Sequence, residues 1–175
     1  MKRLGREDPT ASLPLAPTGS ASKASNAGYH LTMQREWRGP VLLTADTWPG
    51  VASKAGVYRI RAFNRVSNPV RIPRALGIDT DGILDIGESA NLANRLYEFL
   101  GRARGNSYPH SAAAEYSDWE LFNHWPLEQL HFDFIHVNNK AAAERLELKV
   151  IDEYRSRFYD RPPLNKSQGK RWKHA

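Results

Sequence analysis

The pattern of apolar and polar positions marks out five elements. Gly56-Val57-Tyr58-Arg59-Ile60-Arg61-Ala62 alternates and is rich in β-formers, which predicts a strand with Tyr58 and Ile60 on one face. Gly82-Ile83-Leu84-Asp85-Ile86-Gly87 predicts a second strand, stopped by Gly87 and Glu88-Ser89, with Asp85 on the face of Ile83 and Gly87. Over residues 90–103 the period becomes helical. Leu92, Leu96, Phe99, Leu100 and Ala103 form one stripe, with Ser89 as N-cap, Gly105 beyond the end and Arg95 at the stripe's boundary. Leu130, Phe132 and Phe134 alternate with His131 and Asp133, predicting a third strand up to Val137. His131 and His136, five apart on that strand, fall on opposite faces and make no metal pair. Asn138 or Asn139 then caps a long last helix whose broad apolar face is Ala142, Ala143, Leu146, Val150, Ile151, Tyr154 and Phe158. Glu147 falls inside that face, where a carboxylate is costly unless it is paired or bound to a metal.

The remaining stretches are weaker in pattern. Residues 1–28 are rich in Ser, Ala, Pro, Gly and Thr and predict a disordered N-terminal arm, with folded structure beginning near Tyr29. A short strand is expected around Pro40 to Thr44 and a turn at Thr47-Trp48-Pro49-Gly50. Residues 105–128 read as an aromatic, His-bearing loop, with Trp119 and Phe122 on a short helix that Pro126 stops.

A chain of 175 residues suits one domain plus a tail. No apolar run reaches the roughly 18 residues of a membrane helix, and no secretory signal is visible, so a cytoplasmic protein with no membrane partner is expected. With no Cys, disulfides, zinc ribbons, iron–sulfur clusters and thiol nucleophiles are excluded, and any metal must be held by oxygen or imidazole.

The net charge of +6 is unevenly placed. Residues 59–74 hold five Arg and no acid, residues 75–153 hold six basic against fourteen acidic side chains, and residues 155–175 hold seven basic against one acidic. Arg outnumbers Lys 17 to 8, and the guanidinium fork suits phosphate. Charge alone fits a nucleic-acid partner and a solvated surface equally.

Five elements in order then resemble the GIY-YIG nuclease superfamily: Gly56-Val57-Tyr58; Asp85-Ile86-Gly87 followed by Glu-Ser-Ala-Asn-Leu; Arg95, eight residues after Gly87; Ala143-Glu144-Arg145-Leu146-Glu147; and Pro163-Leu164-Asn165. The resemblance covers roughly residues 55–165. It implies an α/β (α+β) fold with a small three-stranded, mainly antiparallel sheet flanked by helices, with which the strand, strand–helix, strand–helix order agrees. The expected organisation is an N-terminal arm at 1–28, a nuclease-like domain at 29–165 and a basic C-terminal tail at 166–175.

The resemblance also implies roles. Glu147 would bind Mg²⁺ or Mn²⁺, which suit a single carboxylate plus substrate phosphate. Arg95 would clamp the scissile phosphate. Tyr58 would position or deprotonate the attacking water, and Asn165 would hydrogen-bond around the site or brace it. Two departures are visible. Asp85 stands where the family has its second tyrosine, and a metal-ligand role is one reading of it. Phe99 stands four residues beyond the arginine, where many members place His or Tyr; His110, in Pro109-His110-Ser111-Ala112-Ala113, and Tyr116 are candidates to supply the missing group. Ser89 is a further auxiliary candidate. Arg59, Arg61, Arg71, Arg74, Lys166, Lys170 and Arg171 are the candidate nucleic-acid contacts. The expected activity is that of a metal-dependent endonuclease or nickase on DNA, with RNA as another substrate class, acting as a monomer or homodimer. The alternatives are a weakened member that binds DNA or RNA without cleaving it, and a protein-interaction module with a basic tail.

Overall fold

The computed structural model describes residues 36–44, 51 and 53–166. The expected arm at 1–28, the turn at 47–50, Lys170 and Arg171 lie outside the described residues. Strands β1 (Arg38–Leu42), β2 (Gly56–Ala62), β3 (Ile72–Pro73), β4 (Ile78–Asp79) and β5 (Ile83–Ser89) are followed by helices α1 (Leu92–Ala103) and α2 (Ser111–Asp118), strand β6 (Leu130–His136) and helix α3 (Lys140–Phe158). The protein is mixed α/β, with an antiparallel sheet in the order β1-β6-β2-β5 and a separate two-residue β3–β4 pair. The strands expected at 56–62, 82–87 and 130–137 form its middle and one edge. β1, which overlaps the short strand expected around Pro40 to Thr44, pairs with β6 and makes the sheet four-stranded instead of the expected three; its positions are largely exposed.

Alternation along β2 divides the molecule into two layers. Tyr58, Ile60 and Ala62 join a core with Leu92, Leu96, Phe99 and Leu100 of α1 and Ala112, Ala113 and Tyr116 of α2. Val57, with Ile83 and Ile86 of β5, packs instead against Val150, Ile151, Tyr154 and Phe158 of α3. Phe99, fully buried, is one of several side chains whose burial contributes about 1.5–3 kcal/mol each.

Three local readings need correction. The β2–β5 register runs Ile60 to Asp85 and then Arg61 to Ile83, so a bulge at Leu84 separates Ile83 from the face of Asp85 and Gly87. Asp85 and Gly87 share the Tyr58 face, and Ile83 turns to α3. At α1 the N-cap is Asn91, whose side chain accepts from Asn94 N at 3.0 Å, because pairing with Gly56 keeps Ser89 in β5. Residues 111–118 form a helix, where a loop was expected. Its run of small residues carries little periodicity, and it is fixed by burial of Ala112, Ala113 and Tyr116. Trp119 is its C-cap, and Phe122 lies in a single 3₁₀ turn, Leu121–Asn123.

Candidate active site

β5 lies at the edge of the sheet, and beside it six elements converge on a cavity of about 200 Å³. β2 contributes Tyr58, β5 Asp85, α1 Arg95, the cap of α2 His110, α3 Glu147 and the segment after α3 Asn165. The convergence follows from local rules. Tyr58 and Gly87 are cross-strand partners, and a Cβ on Gly87 would lie 2.3 Å from Tyr58 Oη, so only glycine lets the phenol cross β5. A Cβ on Gly56 would lie 2.4 Å from Ile135 O and 2.5 Å from Leu92 Cδ1, so that glycine admits the start of α1.

Tyr58 is buried, and its hydroxyl donates to Asp85 Oδ2 at 3.2 Å and lies 3.1 Å from His110 Nε2. Arg95, half-buried at the edge of its stripe, donates from Nη1 to Pro109 O at 3.1 Å and pairs with Glu98 at 3.4 Å. The ring of Phe99 meets that of His110 edge-to-face with centroids 5.0 Å apart, so the imidazole comes from α2 and not from α1. Asn165 braces the site: its side chain accepts from Ile86 N at 2.9 Å and donates to Ile86 O at 2.7 Å, as a neighbouring strand residue would.

The electrostatics are unbalanced. Burial pushes the Asp85 carboxyl up to about 7 against the opposing effects of the Tyr58 hydrogen bond and the Arg95 charge. Burial, then repulsion from Glu88 and Asp85, pushes Glu147 up to about 7, with Lys140 opposing. Burial, then Arg95, pulls His110 down to about 3, so its ring is neutral near pH 7. Burial and then Asp85 hold the Tyr58 phenol well above its usual value.

Other candidates fall elsewhere. Tyr116 donates to Trp125 O at 2.6 Å and pins the following loop. Ser89 Oγ donates to Asn91 O at 2.9 Å and accepts from Asn91 N at 3.0 Å, so its hydroxyl shapes the turn into α1. Arg59 is paired through two nitrogens with Asp133 and stacks on Trp37 at 3.7 Å. Arg61 donates to the same carboxylate at 3.2 Å and to Asp81 O at 2.8 Å. Arg74 is held by Asp160 and the carbonyl of Arg161. These three guanidinia are turned inward and offer nucleic acid little, because strand pairing and the chain after α3 bring them partners the sequence does not show. Arg71 is exposed. Lys166, at the cavity, pairs with Glu115 of α2. Sequence reasoning missed Glu88 and Lys140, which pair at the cavity's margin; their only signal was proximity to Gly87 and to the α3 cap.

Among the described residues no group of three or more His, Asp or Glu is set to hold a metal ion. The oxygen donor Glu147, raised by burial and by repulsion from Glu88 and Asp85, nonetheless fits a cation held chiefly by water. Among the described residues no helix is long and apolar enough to cross a membrane. The chain matches no protein-family model, and no curated protein or solved structure matches it.

Proposed function

We propose that this protein is a metal-dependent endonuclease or nickase that hydrolyses phosphodiester bonds in DNA, as its GIY-YIG-like motifs suggest. The observation that carries the reading is the convergence of Tyr58, Asp85, Arg95, His110, Glu147 and Asn165, from six separate elements, on one cavity. Residues spread over more than a hundred positions have no packing reason to leave two carboxylates, a guanidinium, a phenol and an imidazole together.

The chemistry matches the residues. Glu147 would hold Mg²⁺ or Mn²⁺, and that ion supplies Lewis-acid polarisation of the phosphoryl oxygens. Arg95 meets the negative charge that builds on those oxygens in the transition state. Tyr58, fixed between Asp85 and His110, orients the attacking water. Asn165 holds Ile86, and through it the neighbouring Asp85, in place. The arrival of His110 beside Phe99 favours an active enzyme over a binding-only module. One domain carries one such cavity, so cutting both strands requires a homodimer or two successive nicks.

The test is incubation of the full chain with supercoiled plasmid and Mg²⁺ or Mn²⁺, beside Glu147→Ala and a chelator. Open-circular product from wild type alone supports the reading. Equal nicking by wild type and Glu147→Ala, or no cleavage of any DNA or RNA offered, removes it.

A further inference from the structure

The helix cap at His110 sets the direction of a buried hydrogen-bond chain. Ala113 N, a first-turn donor of α2, donates to His110 Nδ1 at 3.3 Å. A nitrogen that accepts must present a lone pair, and a neutral imidazole has one donor and one acceptor nitrogen. The ring is neutral because burial and the Arg95 charge disfavour the imidazolium. Its proton is therefore on Nε2, and the 3.1 Å contact runs from imidazole to the phenol oxygen. Tyr58 has one proton, and it points along the 3.2 Å bond to Asp85 Oδ2. The chain thus reads Ala113 N–H to His110, His110 N–H to Tyr58, Tyr58 O–H to Asp85.

We infer that Asp85 is the final acceptor of the attacking water's proton, that Tyr58 passes it on, and that His110 is a positioning residue holding the phenol in register. This rests on the nuclease reading. In the step, a water O–H bond breaks and its proton goes to Tyr58 Oη as the phenolic proton moves to Asp85 Oδ2. The water oxygen forms the new bond to phosphorus, the bond to the leaving sugar oxygen breaks, that oxygen takes a proton from solvent water, and the hydroxide so formed is neutralised by the proton Asp85 then releases. The relay never requires a free phenolate, which burial beside Asp85 opposes. It also gives a role to the carboxylate at position 85, since a tyrosine there could not serve as this acceptor.

Two measurements decide it. In the full chain labelled with ¹⁵N-histidine, the His110 signal is assigned by its contact with Phe99 and its absence from His110→Asn, whose side-chain oxygen can still cap Ala113 N–H. At pH 7 the expected form is neutral with the proton on Nε2; an imidazolium or an Nδ1–H ring overturns the inference. Asp85→Asn keeps the shape of the side chain but cannot take a proton. It should slow plasmid nicking at saturating Mn²⁺ by about 10²-fold, with the half-activating Mn²⁺ concentration unchanged and partial recovery in Asp85→Glu. Nicking by Asp85→Asn within about threefold of wild type, or a loss cured by more Mn²⁺, overturns the relay. If wild type cuts nothing, the nuclease reading falls and the proton transfer with it, whereas a wrong tautomer in an enzyme that nicks removes the relay alone.

Discussion

Two cavities of nearly equal volume, about 190 and 200 Å³, lie on the α3 layer and at the Tyr58 face, and their polar groups are arranged on opposite principles. On the α3 layer, Asp133 sits between Arg59 and Arg61, and Asp81 faces Arg157 at 3.5 Å. These charges meet opposite ones, above an apolar floor of Ile83, Ile86, Val150 and Phe158. At the Tyr58 face, Asp85 and Glu147 are both raised to about 7, and His110 is kept neutral. Matched charges mark a cluster that supports the fold. Two acids pushed up by burial, one of them also by repulsion from its neighbours, mark a candidate functional site.

The comparison is broken most severely at Asp133, which is 1% exposed. Asp133→Ala leaves Arg59 and Arg61 without their counter-ion and should destabilise the protein by about 3–5 kcal/mol, read as a fall in the urea midpoint. Removing a carboxylate from the other cluster should do the reverse for stability. Glu147→Gln relieves repulsion from Glu88 and Asp85, so its urea midpoint should match or exceed wild type, while nicking falls by about 10²-fold or more. A Glu147→Gln protein that unfolds as easily as Asp133→Ala would erase the distinction.

Gly87→Ala sharpens it geometrically. The added Cβ would lie 2.3 Å from Tyr58 Oη, so the phenol must leave Asp85 and His110. About a tenfold or greater loss of nicking is expected, because small misplacements at a reacting centre are costly. Circular dichroism should show the fold retained; wild-type nicking would mean that the position of Tyr58 does not matter.

pH separates activity from stability. On the proposed mechanism Asp85 and Glu147 act as carboxylates, so nicking should rise with pH through about 7, and more Mn²⁺ should draw the Glu147 part of that limb to lower pH by favouring its ionised form. Stability should run the other way. Both groups have folded values above their ordinary 3.8 and 4.5, so the folded state favours their protonated forms; that stabilisation is complete below about pH 4 and is lost as pH rises to about 7. Rate profiles and urea midpoints across pH 5 to 8 would show the opposed trends.

The candidate site was legible where its geometry is local. Alternation placed Tyr58 on an inward face, helical spacing put Arg95 at the margin of its stripe, and Glu147 was conspicuous as an acid within an apolar face. What pairing and bulging decide was not legible. Arg59 and Arg61 look like the outer face of a strand, and only β6 as a neighbour brings them Asp133, the cross-strand partner of Arg59. The bulge at Leu84 parted Asp85 from Ile83, against a simple alternation. Helix α2 carries little periodicity because five of its eight residues are Ala or Ser and its cap is a histidine, yet that cap is what brings His110 to Tyr58.

The mildest change tests the brace between the two regions. Asn165 bonds both backbone groups of Ile86, and Leu164 N donates to Leu84 O at 2.8 Å, so this segment finishes the edge that β5 would otherwise expose. Ile86 faces α3 while Asp85 beside it faces the cavity, so one amide steadies both layers. Asn165→Ala should cost about 1 kcal/mol and slow nicking less than Glu147→Gln does. Asn165→Asp is the sharper variant. It can still accept from Ile86 N, but it sets an acid against Ile86 O and adds negative charge beside Asp85 and Glu147, so the acid limb of the nicking profile should move to higher pH than in wild type or Asn165→Ala. An unmoved limb would show that the carboxylates of the cavity do not sense position 165, and that Asn165 serves the edge of β5 alone.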